Sequence, residues 1–318
     1  LFQADNICDF IYLWRGVRAR FEGRLRFVIA FELTPGIERV CCREYCPSAK
    51  RIVTAGGFLT SQESSEIMET AAKNKPNVEI VSDAESLAQR SVELFIADAQ
   101  KAVKAKGVFY VAISGGHTPK RFFQLLGEMP QAKSLPWDKI QVFWVDERYV
   151  PPDSPWSNYK LAADGFLSKV AVPQENVHRI PTEYDDIKVA ARYYEDTIRR
   201  VFGLRGNQVP EFDLVVLGMG VEGHTGSLFP DSYAPFDTEN LASVVYVLNE
   251  KLSRITLTHP VLCAASHLAV LVCGEEKAGI LKEVLTSEPD EVRYPIHVLW
   301  PVLDKVTWLV DSDAAKAI

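Results

Sequence analysis

The stretch that decides the fold runs from Phe212 to Pro230 and reads F-D-L-V-V-L-G-M-G-V-E-G-H-T-G-S-L-F-P. Its first half, residues 212–217, is a short apolar run of β-favouring residues, which fits a buried strand and is too short for a helix. Closely spaced glycines follow and lead to His224. Such glycines allow backbone angles closed to other residues and let a ligand approach the main chain. Ligands of open α/β sheets bind beyond the carboxyl ends of strands, so this histidine can exchange a proton with one. The alternative is a tight turn whose histidine only caps the next element.

The composition is that of a globular protein, with 318 residues, 47% hydrophobic and 24% charged. No apolar run reaches the roughly 18 residues that a membrane-spanning helix needs, so we expect no membrane partner. The net charge of -7 argues against a nucleic-acid surface, which would be basic. An anionic small molecule stays open as a ligand, provided that local cations hold it against the overall field.

The cysteines indicate a reducing compartment. The sequence has no C-x-x-C pair and no histidine spacing typical of zinc, so we expect no metal and no disulfide framework. Cys263 and Cys273 each lie among apolar residues and are predicted to be small core residues. We therefore expect a cytoplasmic protein, with a plastid as the alternative if the N-terminal segment is a transit peptide.

Residues 1–76 differ from the rest of the chain. They begin at Leu1, carry many arginines and show no sustained apolar period. Transit peptides are acid-poor and Ser-rich, and this segment is neither. We interpret it as a leader that is disordered or non-native, with Met68 as a candidate start. The predicted organisation is this leader followed by one catalytic domain, residues 77–318.

From residue 77 onward, strands alternate with helices. Ser82 and Glu85 have the spacing of a capping box, and Gly107 is a suitable stop for the helix that follows. Such alternation predicts an α/β fold with a mainly parallel sheet. The predicted strands are residues 78–81, 108–113, 140–145, 177–180, 212–217, 244–248, 254–258, 267–272 and 306–310.

Two further strand ends carry polar sequences. After the strand at 108–113 the chain reads S-G-G-H-T-P, residues 114–119, and a Gly-Gly turn at a helix N-terminus is a geometry that cradles phosphate. After the strand at 140–145 comes the triplet Asp146-Glu147-Arg148. Each has a plainer interpretation, as an ordinary turn or a solvated loop edge. Arg254 and Lys277 are later cations that would complete an anion site.

Taken together, these stretches resemble the 6-phosphogluconolactonases, which belong to a wider group that includes the glucosamine-6-phosphate deaminases. The stretches that carry the resemblance are residues 114–119, 146–148, 157–158, 218–230, 254–258 and 274–277. The resemblance implies a Rossmann-like α/β fold of the sugar-phosphate isomerase/deaminase type, with a smaller lobe. It also implies hydrolysis of 6-phospho-D-glucono-1,5-lactone in the oxidative branch of the pentose phosphate pathway, without a cofactor. Glu222 departs from the aspartate usual in the family, and Gly226 stands where another small residue is common.

The resemblance and the chemistry of lactone opening together give the candidate roles. His224 is the expected base for water, and Arg148 is suited to a developing oxyanion or to sugar hydroxyls. For Asp146 several roles stay open: orienting Arg148 or His224, holding a hydroxyl, or a structural one. The expected substrate-binding residues are Ser114, Gly115, Gly116, Thr118, Asn158, Arg254 and Lys277. Of the other histidines, only His117 is expected at the rim of the site.

Two other functions are possible for this fold: a sugar-phosphate deaminase or isomerase, and a non-catalytic sugar-phosphate sensor. A deaminase or isomerase of the same fold would need an acid soon after the Gly-His stretch, where this chain reads Ser227-Leu228-Phe229-Pro230. Loss of His224 or of the cations would favour a non-catalytic sugar-phosphate sensor, and this chain has them. The sequence therefore favours the lactonase. Its expected partner is a small phosphorylated sugar lactone, and we expect a monomer or weak dimer.

Overall fold

The computed structural model describes residues 15–21, 24–34, 37–44, 76–246 and 252–318, and the chain divides into two units, Leu1–Lys75 and Pro76–Ile318. The first unit contains an antiparallel sheet of three strands: β1 (Arg15–Phe21), β2 (Arg24–Thr34) and β3 (Ile37–Glu44). The sequence predicted no secondary structure there. The interpretation of residues 1–76 as a leader stays a prediction.

The second unit alternates strands with helices, as the sequence predicts. Its strands are β4 (Asn77–Val81), β5 (Phe109–Ile113), β6 (Ile140–Trp144), β7 (Asp146–Arg148), β8 (Val177–His178), β9 (Leu214–Gly218), β10 (Ala242–Val245), β11 (Arg254–Leu257), β12 (Leu268–Val272) and β13 (Val306–Asp311). Its α-helices are α1 (Ala84–Lys106), α2 (His117–Glu128), α3 (Pro130–Lys133), α4 (Asn158–Ala162), α5 (Ile187–Phe202), α6 (His259–Ala264) and α7 (Ala278–Thr286). None of the helices in the described part of the chain is both long and apolar enough to cross a membrane.

Seven strands form one parallel sheet in the order β4-β13-β12-β9-β5-β6-β8. Neighbouring residues of a strand point to opposite faces, so β5 shows which helix covers which side. Phe109 meets Phe95 of α1 edge to face at 5.4 Å, whereas Tyr110 stacks on Phe202 of α5 at 4.3 Å. Helices therefore cover both faces, and every residue of β12, one of the inner strands, is buried. The prediction of a mainly parallel α/β sheet is confirmed.

A second, smaller sheet is antiparallel, with the order β10-β11-β7, and corresponds to the smaller lobe that the resemblance implies. The sequence predicted the triplet at 146–148 as the charged end of a strand, but it forms a short strand of its own. In the register of β7 and β11, Arg148 pairs with Arg254 and Asp146 with Thr256. This pairing brings side chains 106 positions apart in sequence to the same face of the small sheet.

Several element boundaries differ from the prediction, among them the start of α1 and the bounds of β10. Helix α1 is capped by Asp83, whose carboxylate accepts the Ser86 amide at 2.7 Å, one residue after the predicted cap Ser82. Glu85 therefore does not close a capping box and instead pairs with Arg121 of α2 at 2.7 Å. Strand β10 begins two residues earlier than predicted, and residues 247–248 of the predicted strand lie outside the described residues.

Candidate active site

A cavity of about 470 Å³ lies at the carboxyl edge of the parallel sheet. Its walls include Ser114 after β5, Gly218 at the end of β9 and Cys273 after β12. All the residues predicted as catalytic or substrate-binding line this cavity: Ser114, Gly115, Gly116, Thr118, Asp146, Arg148, Asn158, His224, Arg254 and Lys277. His117 lines it as well, as predicted. The candidate residues lie far apart in the sequence, from Ser114 to Lys277, and they line one cavity in the fold.

The Gly-Gly turn forms one wall and leads into α2. The Ser114 amide donates to the Val216 carbonyl at 3.0 Å, which extends the pairing of β5 with β9 to the cavity edge. Gly116 has φ 112° and precedes the first turn of α2, where backbone amides lack partners within the helix. A Cβ on Gly115 would lie 1.9 Å from Oδ1 of Asn158, so only glycine lets the two walls approach this closely. The turn can therefore present amides and a helix dipole to an anion.

The histidine loop is closed by its own backbone. The Gly220 amide donates to the His224 carbonyl at 2.9 Å, and the Gly223 amide donates to the Gly220 carbonyl at 3.1 Å. Gly223 has φ 77°, and a Cβ there would lie 2.9 Å from the Tyr294 ring. The hydroxyl of Thr225 then donates to the Gly218 carbonyl at 2.8 Å and closes the loop on β9. The imidazole is consequently carried by a loop with little freedom.

The imidazole of His224 lies between an acid and an aromatic ring. Its Nδ1 is 3.2 Å from Oε2 of Glu222, although the two groups are not aligned as a hydrogen bond. Contact with this ring lowers the pKa of Glu222 to about 2, against the opposing effect of partial burial, so the carboxylate is charged at neutral pH. The other neighbour is Phe229, whose ring centroid is 4.3 Å from that of the imidazole. Charge and packing therefore both hold the ring in place.

Four cations line the cavity: Arg121, which is paired with Glu85, and Arg148, Arg254 and Lys277. Arg148 and Arg254 are directly opposite each other in the antiparallel sheet, a placement that is unfavourable for like charges unless an anion lies close by. The Arg148 guanidinium donates to the Trp156 carbonyl at 2.8 Å, and the Arg254 guanidinium lies 5.1 Å from the Phe229 centroid. Burial lowers the pKa of Lys277, while the charges of two nearby glutamates, Glu276 and Glu222, oppose that effect. These positively charged side chains therefore favour binding of a negative ligand in the cavity.

Asp146 connects the small sheet to the histidine loop. It is 4% exposed, and its Oδ2 accepts the Ser227 hydroxyl at 2.7 Å. Its backbone carbonyl accepts the Asn158 side-chain amide at 2.9 Å, which leaves Oδ1 of Asn158 as an acceptor. Of the roles left open for Asp146, this geometry favours the structural one, because its carboxylate is bonded to the buried Ser227 and its backbone carbonyl holds Asn158.

Sequence analysis missed several residues of this site. Phe229 touches both His224 and Arg254, but a phenylalanine near a glycine loop carries no signal of that contact. Cys273 was predicted to be a core residue, whereas it is half-buried in the cavity wall and its thiol donates to Asp311 at 3.0 Å. Among residues 76–246 and 252–318, no three His, Cys, Asp or Glu side chains cluster so as to hold a metal ion.

Comparison with known proteins agrees with this geometry. Residues 82–308 match the family described as glucosamine-6-phosphate isomerases/6-phosphogluconolactonase. The chain is 38% identical to the 6-phosphogluconolactonase of Nostoc sp. over 77% of this chain and 99% of the relative. It is 37% identical to the probable 6-phosphogluconolactonase 4 of Arabidopsis thaliana, over 69% and 85% of the two chains. The crystal structure of the Thermotoga maritima 6-phosphogluconolactonase superposes with a TM-score of 0.64 at 29% identity, covering 75% of this chain and all of that one.

Proposed function

The chain belongs to the glucosamine-6-phosphate isomerase/6-phosphogluconolactonase family, and we propose that its cavity hydrolyses 6-phospho-D-glucono-1,5-lactone to 6-phospho-D-gluconate. This is the lactonase step of the oxidative branch of the pentose phosphate pathway. The observation that carries the proposal is the convergence of His224, two facing arginines and the Gly-Gly turn on one cavity. Hydrolysis of a phosphorylated lactone requires a site that binds the phosphate and a base that removes a proton from water.

The phosphate would bind where the positive groups gather. The Gly115 and Gly116 amides and the Thr118 hydroxyl stand at the N-terminus of α2, and Arg254 and Lys277 face the same cavity. Because the chain carries a net charge of -7, this local cluster must overcome a field that repels the substrate. Charge-assisted hydrogen bonds to phosphate are about twice as strong as neutral ones, which suits this task.

His224 would act as the general base. The Glu222 carboxylate beside Nδ1 favours a proton on that nitrogen, which leaves Nε2 as the proton acceptor. Water then attacks the lactone carbonyl carbon while its proton passes to Nε2. The bond between that carbon and the ring oxygen breaks, and the ring oxygen takes up the proton to become a hydroxyl. The product keeps its phosphate and gains a carboxylate.

Arg148 would stabilise the oxyanion that forms when water adds to the carbonyl. A guanidinium stays charged throughout the accessible pH range and offers several donors in a plane. Its side chain lines the cavity, and its Nε makes no hydrogen bond with the described residues. Removing one oxyanion donor typically lowers kcat by about 10²–10³-fold. Asn158 lines the same cavity and would contact the sugar.

The test is a pH-stat assay with freshly prepared 6-phosphogluconolactone, from which spontaneous hydrolysis is subtracted. We expect enzymatic acid release, and we expect His224→Asn to lower kcat by about 10²–10⁴-fold with little change in KM. Tight binding without turnover would instead support a sensor, and ammonia release from glucosamine 6-phosphate would support a deaminase. Near-normal turnover by His224→Asn would move the base to another residue.

The same proposal includes a cytoplasmic location. It also includes a monomer or weak dimer, and size-exclusion chromatography can check this oligomeric state. Four rice relatives, 35% identical to this chain, are named as chloroplastic. A plastid location is therefore the alternative if residues 1–76 act as a transit peptide, and fluorescence of a full-length fusion separates the two.

A further inference from the structure

Glu147 is a buried carboxylate that no step of the proposed reaction uses. It is 3% exposed and lies between Asp146 and Arg148 in β7. Its Oε1 accepts the backbone amides of Arg148 and Asn158, both at 2.8 Å. Its Oε2 accepts the Tyr159 amide at 2.8 Å and the Ser157 hydroxyl at 2.9 Å. Both oxygens are therefore fully engaged by the protein.

An enclosed carboxylate is costly unless hydrogen bonds replace the water that it loses. Burial raises the pKa of Glu147, whereas donation from its four neighbours favours the charged form. All four partners are donors and none is an acceptor, which is the environment of a carboxylate ion. Because burial of this carboxylate costs free energy and four hydrogen bonds offset that cost, we expect its position to matter for the site.

The four donors come from two segments that both reach the cavity. One is Arg148 at the end of β7, and the others are in the first turn of α4 and its cap Ser157. The carboxylate thus closes the loop of residues 149–156 at its base. The Arg148 guanidinium is anchored within the same loop, on the carbonyl of Trp156. Arg148 is therefore held at its backbone and at its side chain by one closed loop.

We propose that Glu147 is a positioning residue that holds Arg148 and Asn158 on the cavity wall in the geometry that lactone hydrolysis requires. The inference rests on the proposed function, because it gives Glu147 a role through the oxyanion donor and the sugar contact. The competing explanation is a helix cap whose loss lowers stability alone. The two explanations differ in how Glu147 and Arg148 depend on each other.

The test is a double-mutant cycle in the full chain, read as kcat on 6-phosphogluconolactone well below the unfolding temperature of every variant. Glu147→Gln keeps the shape but removes the charge and puts a donor against donors. We expect kcat to fall roughly 10–100-fold, as for a catalytic group displaced by about 1 Å. In the Arg148→Ala background the same change should cost several-fold less, because the guanidinium that Glu147 positions is gone and only the effect on Asn158 remains. Where Glu147→Gln does not fold, Glu147→Asp, which keeps the charge, completes the cycle.

Asp237 offers the matched control. It is 5% exposed and accepts the Glu239 and Asn240 amides at 3.2 Å, but it does not line the cavity. We expect Asp237→Asn to leave kcat unchanged and its effect to be independent of Arg148→Ala. Equal losses from Glu147→Gln in both backgrounds, or an unchanged kcat, would overturn the positioning role. Absence of lactone hydrolysis by the unaltered protein would instead overturn the proposed function, and this inference with it.

Discussion

Gly220→Ala tests whether the position of the His224 ring limits the reaction. A Cβ at residue 220 would lie 2.1 Å from Nδ1 and 2.2 Å from Cε1 of that ring, and 2.9 Å from Oε2 of Glu222. Ordinary contact begins at 3.4 Å, so the imidazole must move by about 1.3 Å. A misplacement of about 1 Å can cost a reaction about 10²-fold, and we expect a loss of that order in kcat.

The assay for Gly220→Ala is the pH-stat measurement of lactone hydrolysis across a range of substrate concentrations. KM should change little, because the phosphate contacts that we propose come from the Gly-Gly turn, Arg254 and Lys277, none of which is among the atoms nearest to the new methyl group. Combining Gly220→Ala with His224→Asn should cost no more than His224→Asn alone, since the ring that is displaced has been removed.

Gly279→Ala is the matched control, because residue 279 is exposed in α7 and does not line the cavity. A Cβ at residue 279 meets no atom within 4 Å, and residue 279 lies outside the left-handed region. Its kcat should therefore stay close to that of the unaltered protein. If Gly220→Ala and Gly279→Ala have the same kcat, the placement of the imidazole does not limit the rate, and the reasoning from the loop geometry is wrong.

Further perturbations separate binding, packing and stability. Arg254→Ala and Lys277→Ala should each raise KM by about 10–100-fold and lower kcat less, as expected for lost charge-assisted bonds of about 1.5–3 kcal/mol; a collapsed kcat at normal KM would contradict this. Phe229→Leu should lower the free energy of unfolding by less than about 1.5 kcal/mol in a denaturant titration. It should nevertheless lower kcat/KM several-fold, because the ring that contacts His224 and Arg254 is gone. Unchanged kinetics would refute a role for this ring. Burial lowers the pKa of His178 from 6.5 to about 4, so the unfolded chain binds a proton between these pH values and the folded chain does not. The free energy of unfolding should therefore fall from pH 7 to pH 5, and less so in His178→Gln; equal losses in both proteins would exclude this histidine as the cause.

The features that depend on short stretches of chain could be predicted from the sequence. The apolar run before Gly218, the Gly-Gly turn at 115–116 and the helix signals around α1 depend on neighbouring residues, and the structure has the strand, the turn and the helix within two residues of the predicted bounds. The cations Arg254 and Lys277 could be assigned to the site only through the family resemblance, because nothing in their own surroundings distinguishes them from solvated side chains. Their placement at the cavity depends on the sheet order, which no local pattern encodes.

The features that sequence analysis missed depend on contacts between distant segments. Ser82 and Asp83 are both good helix caps, and only the entry angle of the chain decides that Asp83 accepts the Ser86 amide. The pairing of β7 with β11 joins segments more than 100 residues apart, so the facing arginines had no signature in either stretch. Glu147 was read as part of a charged triplet, although its four donors are what define it.

The division of the cavity between two sheets also bears on how such a site can change over evolutionary time. His224 and the Gly-Gly turn follow strands of the parallel sheet, whereas Arg148 and Arg254 belong to the antiparallel one. A shift of one residue in the pairing of β7 with β11 would turn Arg254 to the opposite face while leaving His224 where it is. Insertions and deletions around the small sheet can therefore move the arginines, and with them the preference for charged substrates, while the loop that carries His224 stays unchanged.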